Sequence, residues 1–314
     1  MTMMIFRKVG AVFFSATFLL AACGQGEEES STSYREPFEG KVEHVHGVGF
    51  VGGDDLALAA HDGLKFYSDG NCQRTTSENN DYMGFNAVDN GFYTSGHPGK
   101  DSPLPNPIGI QKSNDLGQNL DAVAFEGEFD FHLMGVGYEN HAIYIWNEHG
   151  NEALEEGLHK SLDEGKSFEA VESSGVKGEI KDLAVHPTNE EMIAVATKQG
   201  IFLSEDGGQT FDALSEKPNG TFVYFKEDTL TYGTFDSQAH VIRYAIEDQS
   251  FEEIAIPKFE QDAVAYFSSD PEEENRMMIF SFKNDGYYTE NGGKNWSKIV
   301  DQGKSERIKR EDNH

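Results

Sequence analysis

Ser161-Leu162-Asp163-Glu164-Gly165-Lys166-Ser167-Phe168 and Ser204-Glu205-Asp206-Gly207-Gly208-Gln209-Thr210-Phe211 are two copies of one phrase. Ser113-Asn114-Asp115-Leu116-Gly117-Gln118-Asn119-Leu120 and Thr289-Glu290-Asn291-Gly292-Gly293-Lys294-Asn295-Trp296 are two more. All follow Ser/Thr-x-Asp/Asn-x-Gly-x-Ser/Thr/Asn and close on an aromatic residue or Leu. Registered on its third position, the phrase marks Asp69, Asp115, Asp163, Asp206, Asp248 and Asn291, at steps of 42 to 48 residues. Asp69 and Asp248 head degenerate copies. A fixed period in this range belongs to propellers and solenoids, whose units cannot bury their apolar faces alone.

Upstream of each mark, β-branched and apolar runs of strand length alternate with Gly, Asn and Asp turns, as in Met192–Thr197 and Gly200–Leu203. Each repeat has room for four short strands. The first strands align as His44–Phe50, Met83–Val88, Phe131–Val136, Ile180–Val185, Thr221–Phe225 and Ala263–Phe267. The expectation is an all-β chain: a six-bladed β-propeller of four-stranded antiparallel blades, with a degenerate seventh blade as the alternative. The phrase resembles the Asp-box, or BNR repeat, of sialidases, sortilin-type receptors and related propellers, over about Val42 to Val300. That resemblance implies a hairpin between the third and fourth strands of a blade. The physics agrees: the carboxylate can accept hydrogen bonds from its own turn, and Gly supplies a positive φ. Asp115, Asp163, Asp206 and Asn291 are therefore read as structural.

Residues 1–23 carry Arg7 and Lys8, an apolar run from Val9 to Ala22, and then Leu20-Ala21-Ala22-Cys23. This reads as a lipoprotein signal peptide, since the run is shorter than the roughly 18 to 20 residues a membrane span needs. Resemblance to bacterial lipoproteins implies that Cys23 is lipidated and that the mature protein is exported and anchored to the outer face of the cell membrane. The expected organisation is signal 1–23, acidic tether 24–41, propeller 42–300 and charged tail 301–314. Cys72 has no partner for a disulfide, and is expected to pack beside the fourth strand of blade one.

Without Arg7 and Lys8, 23 basic residues face 55 acidic ones, a formal balance of −32. Such a surface repels nucleic acid and anionic headgroups, and suits cations, basic partners or plain solubility. A monomer is expected. No Gly-x-Ser-x-Gly, Walker loop, His-Glu-x-x-His or Cys-x-x-Cys occurs.

The histidines depart from the repeat. In a four-stranded blade the start of the first strand and the end of the second lie at one rim, because adjacent strands run antiparallel. His44 and His46 open the first strand of blade one and His61 ends its second. His97 ends the second strand of blade two, His132 opens blade three, and His149 follows the second strand of blade three. Strand alternation would put His44 and His46 on one face. Imidazoles converging on a rim suit zinc, copper or nickel, with Asp62, Asp130 or Glu148 as completing carboxylates. The competing view is that these rings only hydrogen-bond backbone and water.

The leading expectation is a non-enzymatic propeller binding a ligand, with a transition metal at the His-rich rim. A glycoside hydrolase, using Asp62, Asp130 or Glu148 as acid or base, is the alternative that the resemblance implies. A true sialidase is disfavoured: the family's three substrate-gripping arginines and its Phe-Arg-Ile-Pro motif have no match, Arg35 standing in Tyr34-Arg35-Glu36-Pro37. A scaffold that binds a protein through its acidic faces is the third reading.

Overall fold

Every blade-forming segment of the chain folds back on itself as an antiparallel meander. In a computed structural model that describes residues 33–306 apart from Asp54 and Asp69, these meanders form six sheets, and there are no helices among the described residues. The signal segment with Cys23, the tail beyond Glu306 and the Asp69 mark lie outside the described residues. The inner strands are Val45–Phe50, Asp81–Val88, Met134–Val136, Ile180–Val185, Gly220–Lys226 and Val264–Ser269. Each is followed outward by three more in sequence order, so this is a six-bladed propeller and the seventh blade is not formed.

The buried side chains fall into six clusters, and each lies at the seam between two consecutive blades. Ala57, Leu64 and Phe66 of blade one meet Tyr82, Phe85 and Phe92 of blade two. Met192, Ala194 and Ile201 of blade four meet Val223, Leu230 and Tyr232 of blade five. The last seam joins the ends of the chain, packing Val45, Leu56 and Leu58 against Met278, Phe280 and Ile299.

The same closure is stitched by the flanks of the repeat region. Arg35–Pro37 adds a fifth strand outside blade one, and Lys304–Ser305 adds one outside blade six. Val42 N–H donates to Gly303 O (2.6 Å) and Ser305 N–H to Gly40 O (3.1 Å). The sheets thus extend on both sides of the expected 42–300 limits, because the edge strands of blades one and six have backbone groups to pair. Cys72 is buried in the strand Asn71–Thr75, where burial pushes its thiol up to about 11.

The repeated phrase forms the turn between the third and fourth strands, at the rim opposite the histidines. In blade three, Ser161 Oγ donates to Asp163 Oδ1 (2.8 Å), which also accepts the Ser167 amide (2.9 Å), while Ser167 Oγ donates to Asp163 Oδ2 (2.7 Å). Gly165, at φ 86°, returns its N–H to Ser161 Oγ (2.8 Å). Blades two and four repeat this set around Asp115 and Asp206, and blade six keeps most of it with Asn291. The closing Phe211 is buried at the seam of blades three and four, and Phe168 and Trp296 pack against neighbouring seams.

Those donors hold the Asp163 carboxyl down to about 2 from its ordinary 3.8, the Ser167 bonds contributing most. A carboxyl depressed in the folded state stabilises the fold above its unfolded value, and that contribution disappears as pH falls through the folded value. Asp163→Ala is therefore expected to melt below the parent protein at pH 7, with the difference closing between about pH 4 and pH 2. Thermal melts across that range check it; a difference that does not change with pH would show that the carboxylate is not what holds the turn.

Candidate functional site

The histidine rim begins with a local irregularity. The inner strand of blade one pairs Val45 with Ala60 and Gly47 with Ala59, which leaves His46 as the extra residue of a β-bulge. Bulges re-aim a side chain that regular alternation would point elsewhere. The inner strands of blades two, four, five and six are bulged near the same end, so the bulge belongs to the fold. At the matching places blades four, five and six carry Lys181, Thr221 and Ala265; the imidazole is particular to blade one.

His44 lies just before the strand, with φ at 50°. The His44 ring turns to His61 (5.9 Å between centroids), whereas His46 meets His132 edge-on (6.4 Å, 78°). His46 and His132 also form part of the wall of the central cavity, about 650 Å³ in volume.

The carboxylate at the centre is Asp81, which opens the inner strand of blade two. It is fixed by its neighbours: Asn80 and Tyr82 are both fully buried, Asn80 Nδ2 donates to Tyr82 Oη (3.3 Å), and Tyr82 Oη donates to Glu78 O (2.7 Å). His61 Nδ1 stands 2.7 Å from Asp81 Oδ2, and His46 Nε2 stands 3.5 Å from Asp81 Oδ1. The second contact is too long to be a hydrogen bond. His46 Nε2 and Asp81 Oδ1 are both buried and neither has a hydrogen-bond partner. Leaving such groups unpaired costs about 1 to 3 kcal/mol each. His46, His61 and Asp81 each place a donor atom within 4.8 Å of the others, a geometry that could hold a metal ion.

Burial pulls the His46 imidazole below its usual value, against the opposing pull of Asp81, and the neighbouring His132, His61 and His44 act in the same direction as burial. A neutral ring keeps a lone pair for coordination. The arrangement can therefore supply two imidazole nitrogens and one or two carboxylate oxygens to a borderline-soft cation.

Asp130, expected at this rim, lies next to His97 and His132, at 3.3 Å from His97 Nε2 and 3.6 Å from His132 Nδ1. Asp62 is taken up by Lys65, whose Nζ donates to Asp62 Oδ1 (2.8 Å). His149 and Glu148 are exposed on the loop after the second strand of blade three, and no ion pair or ring contact among the described residues ties them to the other imidazoles.

Asp81 was not among the sequence candidates. The strand start was placed at Met83, two residues late, although Asn80-Asp81 stands where His44 and His132 stand in their blades. Asp182, another inner-strand carboxyl on the cavity wall, was also missed. Burial pushes it up to about 7, although Oδ2 accepts the Val223 amide (2.9 Å). Asn86 makes the same bond across the preceding blades, from Val136 N–H to Oδ1 (3.1 Å), so Asp182 is a clamp between blades.

No family model matches the chain. Over 62 residues it is 40% identical to a xyloglucanase of Hypocrea jecorina (strain QM6a), a stretch that is 20% of this chain and 7% of that enzyme. Among solved structures it is similar to a GH74 enzyme of Niastella koreensis, with a TM-score of 0.52, 17% identity, and coverage of 83% of this chain and 46% of that one. The WD40 domain of Neurospora crassa Pan2 superposes with a TM-score of 0.50 at 11% identity, over 82% of this chain and 79% of that domain. At these identities the likeness is one of fold, and the chain spans less than half of the GH74 enzyme it resembles.

Proposed function

We propose that this protein is an exported, lipid-anchored Asp-box propeller that binds a transition-metal ion, zinc or copper before nickel, at the rim of blades one and two. The observation that carries the reading is the pair of buried, unpartnered atoms, His46 Nε2 and Asp81 Oδ1, facing each other beside His61. A cation between them would satisfy both at once. His46 and His61 would be nitrogen ligands and Asp81 the carboxylate; a fourth donor would come from water or a bound molecule on the cavity side. The acidic surface would concentrate cations around the rim.

Equilibrium dialysis of the chelator-stripped protein against Zn(II) or Cu(II), at physiological salt with excess Mg(II), checks this. Binding is expected to weaken at least 100-fold in His46→Ala and in Asp81→Asn. Stoichiometric binding that survives both substitutions would remove the reading. For the anchor, Cys23→Ser is expected to move the protein from the membrane fraction to the soluble exported fraction; unchanged membrane association would exclude a lipid on Cys23.

The local identity to a xyloglucanase favours a second reading, glycoside hydrolysis at the same rim, with Asp130 as the carboxyl available there. Sugar release from a panel of β-glucans and xyloglucan, abolished by Asp130→Asn, would promote it. The absence of release across the panel from protein that binds metal would leave the first reading standing alone.

A further inference from the structure

We propose that Asp182 is held as a carboxylic acid and serves as a proton-operated joint between blades four and five, in the wall of the central cavity. The repeat itself supplies the comparison. In blade two the residue directly after the bulge is Asn86, and its amide makes two kinds of bond to the inner strand of blade three. Oδ1 accepts the Val136 amide (3.1 Å), and Nδ2 donates to Met134 O (2.8 Å). The free edge of that inner strand thus offers an N–H and, two residues earlier, a carbonyl.

Asp182 stands directly after the bulge of blade four and repeats the first bond, Oδ2 accepting the Val223 amide (2.9 Å). The carbonyl two residues before Val223 is that of Thr221. With the Val223 N–H turned toward blade four, the Phe222 N–H turns the other way, to its partner Gly233 on the second strand. Thr221 O lies in the same trans peptide as that N–H and points back toward blade four. Asn86 meets such a carbonyl with an N–H. A carboxylate has only lone pairs to offer it, whereas a carboxylic acid donates through one oxygen and accepts through the other, as the amide does. Protonated, Asp182 ties both Thr221 O and Val223 N–H; ionised, it keeps only the second.

The surroundings do not favour the charge. Lys181 pairs with Glu179, which also takes Lys198. On the inner strand of blade five, Tyr224 Oη donates to Ser269 O (2.8 Å) and Lys226 Nζ to Asp270 O (3.0 Å). The inner strand of blade three and the second strand of blade four carry no titratable residue, and Tyr144 of blade three donates to Glu190 O (2.9 Å). Tyr266, directly after the bulge of blade six, has its hydroxyl pushed up by burial and then by the charge of Asp182. Burial accordingly pushes the Asp182 carboxyl up to about 7, against the amides of Val223 and Leu183. Asp182 and Val223 line the cavity that His46 and His132 also face, so the joint lets proton concentration act on its wall.

Two measurements on the full chain test this. The carbon-13 resonance of the Asp182 carboxyl, assigned by its loss in Asp182→Asn, is expected to titrate with a midpoint near 7; a midpoint near the ordinary 3.8 overturns the proposal. A carboxyl raised in the folded state costs stability as pH climbs from its unfolded value to its folded one, and the cost is constant above that. Asp182→Asn can make both bonds at any pH. It is therefore expected to match the parent near pH 4, to gain on it up to about pH 7, and to melt about 2 °C or more above it at pH 8. An Asp182→Asn chain that fails to fold, or melts below the parent at pH 8, overturns the joint.

Discussion

Burial between sheets, rather than within them, is the constraint on which this structure depends. A four-stranded blade has two apolar faces and nothing of its own to cover them, so each cluster of core residues is contributed by two neighbours. The ring must therefore close, and it closes where the chain has no covalent continuity, between blades one and six. Phe280 and Ile299 reach Leu56 and Leu58 there, while Lys41 and Lys304 bridge outside them. That closure also fixes the functional geometry: inner strands converge on one axis, and their starting ends are brought to one rim.

The fold was legible because its signal is repeated. One phrase with a turn-making Gly and a turn-capping carboxylate sets the register, and the spacing between copies leaves room for four strands. The contacts within each copy are local, at separations of two and four residues, which is why sequence alone could assign Asp115, Asp163, Asp206 and Asn291 a structural part. The rim was legible in outline for the complementary reason: once the register is known, any residue that fails to repeat stands out. His46, His61, His97 and His132 were found that way.

What the sequence hid was the β-bulge and the pairing between blades. A bulge shifts side chains by one place without any mark in composition, so the one at His46 could not be read from alternation. Asp81 was hidden because its strand starts earlier than its apolar run. Its importance comes from His46 and His61, 35 and 20 residues earlier in the chain, reaching it across a blade boundary. Contacts of that kind depend on where two strands end in space, and no local pattern encodes them.

The rim thus uses positions the fold provides anyway. The bulge recurs around the ring with Lys, Thr or Ala, and within blade four the residues at the same rim, Glu179 before the inner strand and Lys198 after the second, form an ion pair. There the opposite charges of one blade meet each other. Between blades one, two and three the carboxylates meet imidazoles instead, His61 beside Asp81 and His97 beside Asp130, and burial pulls the neighbouring His46 below its usual value. The same backbone positions thus carry a Lys, Thr or Ala in some blades and an imidazole in blade one without changing the fold.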